Sequence, residues 1–447
     1  MAEPFLKPIS IQLPAYHSFN GEVRLPGSKS ITNRVFLLSA LARGTTHLHN
    51  LLKSDDTRYM GEALRKLGIN IQFSEDYSEA VVVGNGGPFM LCADSLAAEV
   101  GTNAAPFVEL YLGNAGTAMR SLTAALTLGK GNFLLSGEER MTERPIRDLV
   151  EALTALGAEI TYIETEGYPP VKIIADSLKG GDVSVRGNIS SQYLTALLIC
   201  APYCKAPLHI HVEGELISKP YILLTLDVMK AFGIEVHREG FSDFFVPQGV
   251  YQSPGEYWVE GDASSASYPL AAAAIAKGKV RVLGIGTESR QGDVQFAEVL
   301  HKMGAKITMG PDWVECDGTG CELKGVDLNL NHIPDAAMTV AVLALFAKGP
   351  TKISGIASWR VKETDRIAAM AAELRKVGAE VQESTDFIEI VPPAQLQPAT
   401  IETYNDHRMA MCFSLISLGG VPIKIMDPAC VNKTYPRYFE DFQRLAK

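Results

Sequence analysis

The sequence predicts an α/β fold in which one strand-helix-strand-helix unit is built six times, and three observations carry the prediction. One phrase recurs five times: two large apolar residues three apart, then Gly, then Ala or Ile, any residue, and Ile or Val. Its copies occupy residues 64–71, 153–160, 229–236, 300–307 and 374–381, and their glycines, at 68, 157, 233, 304 and 378, are spaced by 89, 76, 71 and 74 residues. A second phrase, a polar start followed by a long apolar run and a small-residue stop, recurs six times in phase with the first. Units of roughly 70–90 residues then account for nearly all of the 447-residue chain, and self-similarity at a fixed period marks a repeat architecture.

Each copy of the first phrase reads as the last turn of an amphipathic helix closed by a left-handed glycine and followed at once by a strand. A sixth copy is degenerate, with residues 439–445 standing for its helix. The apolar helices are expected over 28–44, 116–131, 190–204, 264–278, 335–349 and 406–420, with starts 88, 74, 74, 71 and 71 residues apart. Six units divide naturally into two lobes of three, and two lobes imply a cleft.

Composition excludes several classes. An apolar content of 47% with 21% charged residues is ordinary for a globular chain with a sizeable core. The longest apolar run, residues 336–347, is too short to span a bilayer, and the first ten residues lack a signal-peptide layout, so a cytoplasmic protein with no membrane partner is expected. Seven cysteines (92, 200, 204, 316, 321, 412 and 430) form no C-x-x-C pair, which points to reduced thiols rather than zinc or disulfides. No metal site is expected from the spacing of the nine histidines. A net charge of −10 disfavours a nucleic-acid surface.

Basic residues nevertheless gather at helix starts. Apolar helices open at Ser28-Lys29-Ser30-Ile31-Thr32-Asn33-Arg34, Asn114-Ala115-Gly116-Thr117-Ala118-Met119-Arg120, Ser190-Ser191-Gln192, Ser264-Ser265, Asp335 and Asp406-His407-Arg408. Amphipathic helices are preceded by Arg140-Met141-Thr142-Glu143-Arg144-Pro145, Ser218-Lys219-Pro220-Tyr221, Arg360-Val361-Lys362-Glu363-Thr364-Asp365-Arg366 and Asn432-Lys433-Thr434-Tyr435-Pro436. A helix N-terminus offers unpaired N–H groups and a positive dipole end, so cations placed there make an anion site. Plain capping accounts for Ser264-Ser265 but not for Lys29, Arg34 or Arg120, which the dipole disfavours. A solvated face accounts for Asp365 and Arg147. Asp335 and Glu363, acids in a basic setting, read equally as proton-transfer groups or as salt-bridge partners. Gly27-Ser28-Lys29-Ser30 is no P-loop, because Gly and Lys are not adjacent, and residues 84–88 read as a hairpin turn.

From Leu25 onward the chain resembles the 5-enolpyruvylshikimate-3-phosphate synthase family of enolpyruvyl transferases. The stretches that carry the resemblance are residues 25–34, 113–120, 140–145, Ser190-Ser191-Gln192, Ser218 to Tyr221, Asn331-His332-Ile333-Pro334-Asp335, residues 360–366, Asp406-His407-Arg408 and Lys433, in that order. The resemblance implies a two-lobed fold of six βαβαββ units, three per lobe. Residues 1–26 plus 261–447 would form one lobe and 27–260 the other, closing on a central cleft. It implies transfer of the enolpyruvyl group of phosphoenolpyruvate to the 5-hydroxyl of shikimate 3-phosphate, in aromatic amino-acid biosynthesis, by a monomer without cofactor or metal.

On the same resemblance, Lys29, Ser30, Arg34, Ser190, Ser191, Gln192, Ser218, Tyr221, Asp335, Ser358 and Lys362 would hold shikimate 3-phosphate. Lys29, Gly116, Arg144, Gln192, Arg366, Arg408 and Lys433 would hold phosphoenolpyruvate, whose anionic groups suit forked guanidinium donors. Asp335 would take the hydroxyl proton, and Glu363, assisted by Lys29, would serve the methylene carbon. Two positions depart from the family pattern. Ser358 stands where Asn is common and offers a shorter contact. Ser121 stands where Pro is common, is expected in the first turn of the Gly116 helix, and suggests reduced sensitivity to glyphosate. The nearest rival is the sister transferase acting on a UDP-linked amino sugar, disfavoured by Ser190-Ser191-Gln192 and residues 218–221. A non-catalytic polyanion-binding scaffold is the other alternative.

Overall fold

The structure is a computed structural model that describes residues 9–91 and 107–447; Cys92 lies outside the described residues. The chain divides into two compact units, one of residues up to Pro26 together with Glu260–Lys447, the other Gly27–Val259.

Among the described residues, twelve α-helices alternate between two kinds. The apolar series is α1 (Lys29–Leu41), α3 (Gly116–Thr127), α5 (Ser191–Cys200), α7 (Ala263–Ile275), α9 (Ala337–Leu343) and α11 (His407–Ser414). Residue after residue of these helices is buried; α7 is buried along its whole length. A helix apolar all round has no solvent face to offer and must lie inside its unit. The amphipathic series is α2 (Asp55–Lys66), α4 (Arg147–Ala155), α6 (Lys219–Ala231), α8 (Phe296–Lys302), α10 (Arg366–Lys376) and α12 (Tyr438–Leu445).

The five glycine junctions behave as their phrase predicts. Gly68, Gly157, Gly233, Gly304 and Gly378 all have φ between +84° and +114°, a region that side-chain-bearing residues avoid. A strand follows two residues later in four copies, as at Asn70–Phe73, while in the third it is delayed to His237–Glu239. The other prediction for a glycine-rich turn is corrected. Residues 84–88 form no hairpin: Gly84 and Asn85 donate their N–H groups to the carbonyls of Gly44 and Ala40, and Gly86 to Ala42, closing off the carbonyl end of α1. A Cβ on Gly84 would meet the Ala42 oxygen at 2.1 Å, which explains the glycine.

Each repeat builds one small sheet. In the second repeat Val108–Tyr111 runs parallel to Lys130–Ser136, which pairs antiparallel with Val171–Asp176 and that with Glu159–Tyr162. The helix between the parallel strands is the buried one, so its N-terminus leaves the carboxyl end of the first strand. Three sheets complete themselves with a strand from far along the chain. Glu256–Trp258 joins the first repeat by pairing with Thr45–His49, Gly21–Arg24 joins the fourth beside Lys279–Leu283, and Ser10–Leu13 joins the sixth beside Ile423–Met426. The apolar residues form one core per unit.

Candidate active site

In the unit Gly27–Val259, three helix starts are tied together by one buried arginine. Arg34, on the second turn of α1, donates from Nε to Thr225 Oγ1 at 2.9 Å, from one terminal nitrogen to the Ser30 carbonyl at 2.9 Å, and from the other to Thr195 Oγ1 and the Tyr221 carbonyl at 3.4 Å each. Those acceptors lie on α1, α5 and α6, so Ser30, Ser190 to Gln192, and Ser218 to Tyr221 are held in one neighbourhood. Every acceptor is neutral, and burial pushes the Arg34 pKa down to about 10. A cation held this way keeps its charge available to an anion. Lys29 lies 3.6 Å from Asp56.

The second cluster surrounds Gly116, the first residue of α3. Arg144 donates to the Asn114 carbonyl at 2.9 Å and to its Oδ1 at 2.7 Å. A Cβ added to Gly116 would stand 2.5 Å from an Arg144 terminal nitrogen and 2.8 Å from one of Arg120. Only glycine lets two guanidinium groups close over this helix mouth, and Arg144 Nε is buried without a hydrogen-bond partner among the described residues. The Pro145 carbonyl, next to Arg144, accepts from Arg120 at 2.8 Å and from the Tyr193 hydroxyl at 2.7 Å. Backbone N–H groups, two guanidinium groups and no carboxylate in the contacts just described suit phosphate or carboxylate.

In the unit that contains Glu260–Lys447 the cations are organised differently. Asp335 Oδ1 accepts from Lys362 Nζ at 2.7 Å and Arg366 at 3.0 Å, and Oδ2 accepts from Arg408 at 3.0 Å. Arg366, 1% exposed, also pairs with Asp406 at 2.7 Å and Glu363 at 3.0 Å. Asp406, fully buried, holds Arg366 and caps α11 by accepting from the Arg408 N–H at 2.9 Å. Burial pushes the Asp335 carboxyl up, but Arg408, Lys362 and Arg366 outweigh it and hold the group well below the usual carboxylate range. Burial pulls Arg366 down, while Asp406, Glu363 and Asp335 together raise it above its ordinary value. Buried Trp359 donates to the Pro334 carbonyl at 2.7 Å, pinning the turn Ala357–Val361 and hence Lys362 beside Asp335. The Arg408 terminal nitrogens also donate to Tyr268 Oη at 3.1 Å and Ser264 Oγ at 2.9 Å.

Asp335, Glu363, Lys362, Arg366 and Arg408 are thus brought into contact in one unit, and Lys29, Ser30, Arg34, Gly116, Arg144 and the starts of α5 and α6 are arranged in the other. Ser190 acts as a cap, accepting from the Gln192 N–H at 3.2 Å. Ser358 is half-buried, its hydroxyl making no hydrogen bond to a described residue, and Lys433 ends the turn Pro428–Lys433. Three expectations are corrected. Ser264 is not a cap, since Asp262 holds the cap position of α7 and no side chain caps it; the Ser264 hydroxyl instead seats Arg408. Asp365 is more than a solvated charge: it caps α10 through the Ala368 N–H at 3.1 Å and pairs with Arg360 at 2.8 Å. Ser121 is the sixth residue of α3, in its second turn, because the helix begins at Gly116 itself. A proline there would remove an intrahelical N–H rather than an unused one. The sequence reading missed Tyr268, Asp406, Asn114, Thr195 and Thr225, of which only Asp406 and Asn114 fell within motifs already singled out. Among the described residues no group of three or more His, Cys, Asp or Glu could hold a metal ion.

A family model described as EPSP synthase (3-phosphoshikimate 1-carboxyvinyltransferase) matches residues 15–442. A 3-phosphoshikimate 1-carboxyvinyltransferase of Marinomonas sp. (strain MWYL1) is 57% identical over 438 residues, covering 98% of this chain and 99% of the relative. That of Sulfurovum sp. (strain NBC37-1) is 56% identical over 438 residues with the same coverage. Among solved structures, EPSP synthase from Acinetobacter baumannii superposes with a TM-score of 0.78 at 27% identity over 98% of both chains. The enolpyruvyl transferase NikO from Streptomyces tendae shares the fold, at a TM-score of 0.75 and 17% identity over 98% of both chains.

Proposed function

The chain belongs to the EPSP synthase family, and on that footing we propose how its residues carry out the family's reaction. It is a 3-phosphoshikimate 1-carboxyvinyltransferase: the enolpyruvyl group of phosphoenolpyruvate moves to the 5-hydroxyl of shikimate 3-phosphate and phosphate is released. The sugar-nucleotide alternative is not favoured, because the matched relatives carry the shikimate name over nearly their whole length.

In the addition step the 5-hydroxyl oxygen bonds to C2 of phosphoenolpyruvate, its proton goes to a base, and C3 gains a proton to become a methyl group. In the elimination step C3 returns a proton, the double bond re-forms, and the C2–O bond to phosphate breaks. Asp335 takes the hydroxyl proton and Glu363, assisted by Lys29, serves C3. Lys29, Ser30, Arg34, Ser190, Ser191, Gln192, Ser218, Tyr221, Ser358 and Lys362 bind shikimate 3-phosphate. Gly116, Arg144, Arg366, Arg408 and Lys433, with Lys29 and Gln192, bind phosphoenolpyruvate, the cations offsetting charge that builds on the leaving phosphate. The observation that carries this assignment is Asp335 with both oxygens against Lys362, Arg366 and Arg408. A half-buried acid is held ionised by such cations, and an ionised acid is what proton acceptance requires.

The enzyme works as a monomer, and in the cytoplasm, the second part of the reading being supported by the free thiols of Cys200, Cys204, Cys316, Cys321 and Cys412, all buried. The two units act as the two substrate-binding lobes. Purified protein mixed with phosphoenolpyruvate should release phosphate with shikimate 3-phosphate and not with UDP-N-acetylglucosamine. Release with the sugar nucleotide alone, or with neither acceptor, overturns the reading.

A further inference from the structure

Arg366 and Arg408 reach the same carboxylate, Asp335, yet they are seated differently. Arg366 is gripped by Asp406, Glu363 and Asp335, three anions around one guanidinium. Arg408 leans on two neutral oxygens, the Tyr268 phenol at 3.1 Å and the Ser264 hydroxyl at 2.9 Å, besides Asp335. A neutral acceptor fixes the direction of a guanidinium without cancelling its charge, whereas a carboxylate does both. Three carboxylates take up the charge of Arg366, whereas the phenol and the hydroxyl that hold Arg408 take up none of its charge.

Tyr268 is built to hold its hydroxyl still. It belongs to α7, the helix buried along its entire length, and its ring stands edge-on to Tyr438 at 5.6 Å between centroids and 78°. Tyr438 is itself anchored, with its hydroxyl 2.7 Å from Ser414 Oγ and 3.0 Å from the Met411 carbonyl. Burial pushes the Tyr268 phenol well above its ordinary pKa, so it stays neutral across the working range. Ser264 is oriented in turn by donating to Asp262 Oδ2 at 3.1 Å.

Building on the proposed function, we infer that Tyr268 is a positioning residue for this reaction, aiming Arg408 at an anionic group of phosphoenolpyruvate without neutralising it. Tyr268 need not touch substrate; it acts through the arginine. Tyr268→Phe keeps the ring and its contact with Tyr438 and removes only the oxygen. Loss of one hydrogen bond to a charged group should raise KM for phosphoenolpyruvate about tenfold, with kcat and KM for shikimate 3-phosphate within about twofold of the wild type. Tyr438→Phe is the structural control: it deletes a buried hydroxyl from the neighbouring ring without touching Arg408, and should leave both KM values unchanged. An unchanged KM for phosphoenolpyruvate in Tyr268→Phe, or an equal rise in Tyr438→Phe, overturns the inference. If the wild type turns over no acceptor, the functional reading falls by itself. Calorimetric titration of the two variants and the wild type with phosphoenolpyruvate then decides on Tyr268 by the same criterion, and equal affinities overturn it.

Discussion

The unit Gly27–Val259 and the unit containing Glu260–Lys447 both bury arginines at helix starts, but they hold them by opposite means. Arg34 and Arg144 rest on hydroxyls, an amide and carbonyls; Arg366 rests on three carboxylates. Lys29, 3.6 Å from Asp56, is an exception in the first unit's site. The difference teaches what each unit is for. A guanidinium on neutral acceptors is an unfinished ion pair, completed by whatever anion arrives. One ringed by carboxylates is largely paired before any ligand arrives, and besides meeting substrate it serves as a frame, holding Asp335 and Glu363 at fixed distances for proton transfer. The charge of the acceptors, rather than the identity of the cation, thus sets how far each guanidinium is paired before a ligand arrives.

The largest effect should come from breaking the ionic frame. Asp406→Ala strips Arg366 of its fully buried carboxylate partner and α11 of its cap, and should cost about 3–5 kcal/mol in urea unfolding, the usual result of removing one partner from a buried ion pair. Next is the crowded helix mouth of the other unit. Gly116→Ala puts a methyl group 2.5 Å from Arg144, and should raise KM for phosphoenolpyruvate on the order of tenfold to a hundredfold by displacing that group, with no loss in urea midpoint because Ala favours helix over Gly. A smaller cost is expected from Thr225→Val, nearly isosteric, which removes the oxygen 2.9 Å from Arg34 Nε: about 1–3 kcal/mol in the same urea titration. A loss as large as that of Asp406→Ala would erase the distinction between the two units.

The smallest effect is a pH dependence. The folded pKa of Asp335 lies below its ordinary value, so the unfolded chain binds its proton first as pH falls. Its stabilising contribution is present above the unfolded carboxylate pKa and is lost only as pH drops toward the folded one. The stability gap between wild type and Asp335→Asn should therefore be flat from neutral pH to about 5 and narrow only below about 4. Urea midpoints measured across that range check it, and narrowing between pH 7 and 6 would contradict the ionic seating.

Local chemistry was legible in the sequence and long-range pairing was not. The glycine junctions could be read because a helix stop and a strand start sit within eight residues, and positive φ follows from that geometry. Helix mouths were legible because cations there oppose the dipole and need a reason. Tyr268 was invisible, since its partner Arg408 is 140 residues away and an apolar helix gives a tyrosine no polar context. Ser264 read as a cap because serine at a helix start has a sufficient local explanation, but here Asp262 holds the cap position and the hydroxyl serves an arginine 144 residues away. Arg34 read as a ligand group, yet its acceptors Thr195 and Thr225 lie 161 and 191 residues distant. Residues 84–88 looked like a hairpin from composition alone, since the carbonyls of α1 that they close off are some forty residues earlier.

The borrowed strands carry a consequence for synthesis on the ribosome. Ser10–Leu13 pairs with Ile423–Met426, and Phe19 forms a bridge with Ala446. Those early residues leave the exit tunnel more than four hundred residues ahead of their partners, while Gly27–Val259 gains its last strand, Glu256–Trp258, soon after the middle of translation. Vectorial folding should therefore give an intermediate in which the central unit is formed and the leading segment still hangs unpaired, exposed to chaperones. A circular permutant that places residues 9–26 after residue 447 should shorten that exposure, observable as less chaperone capture during cell-free translation.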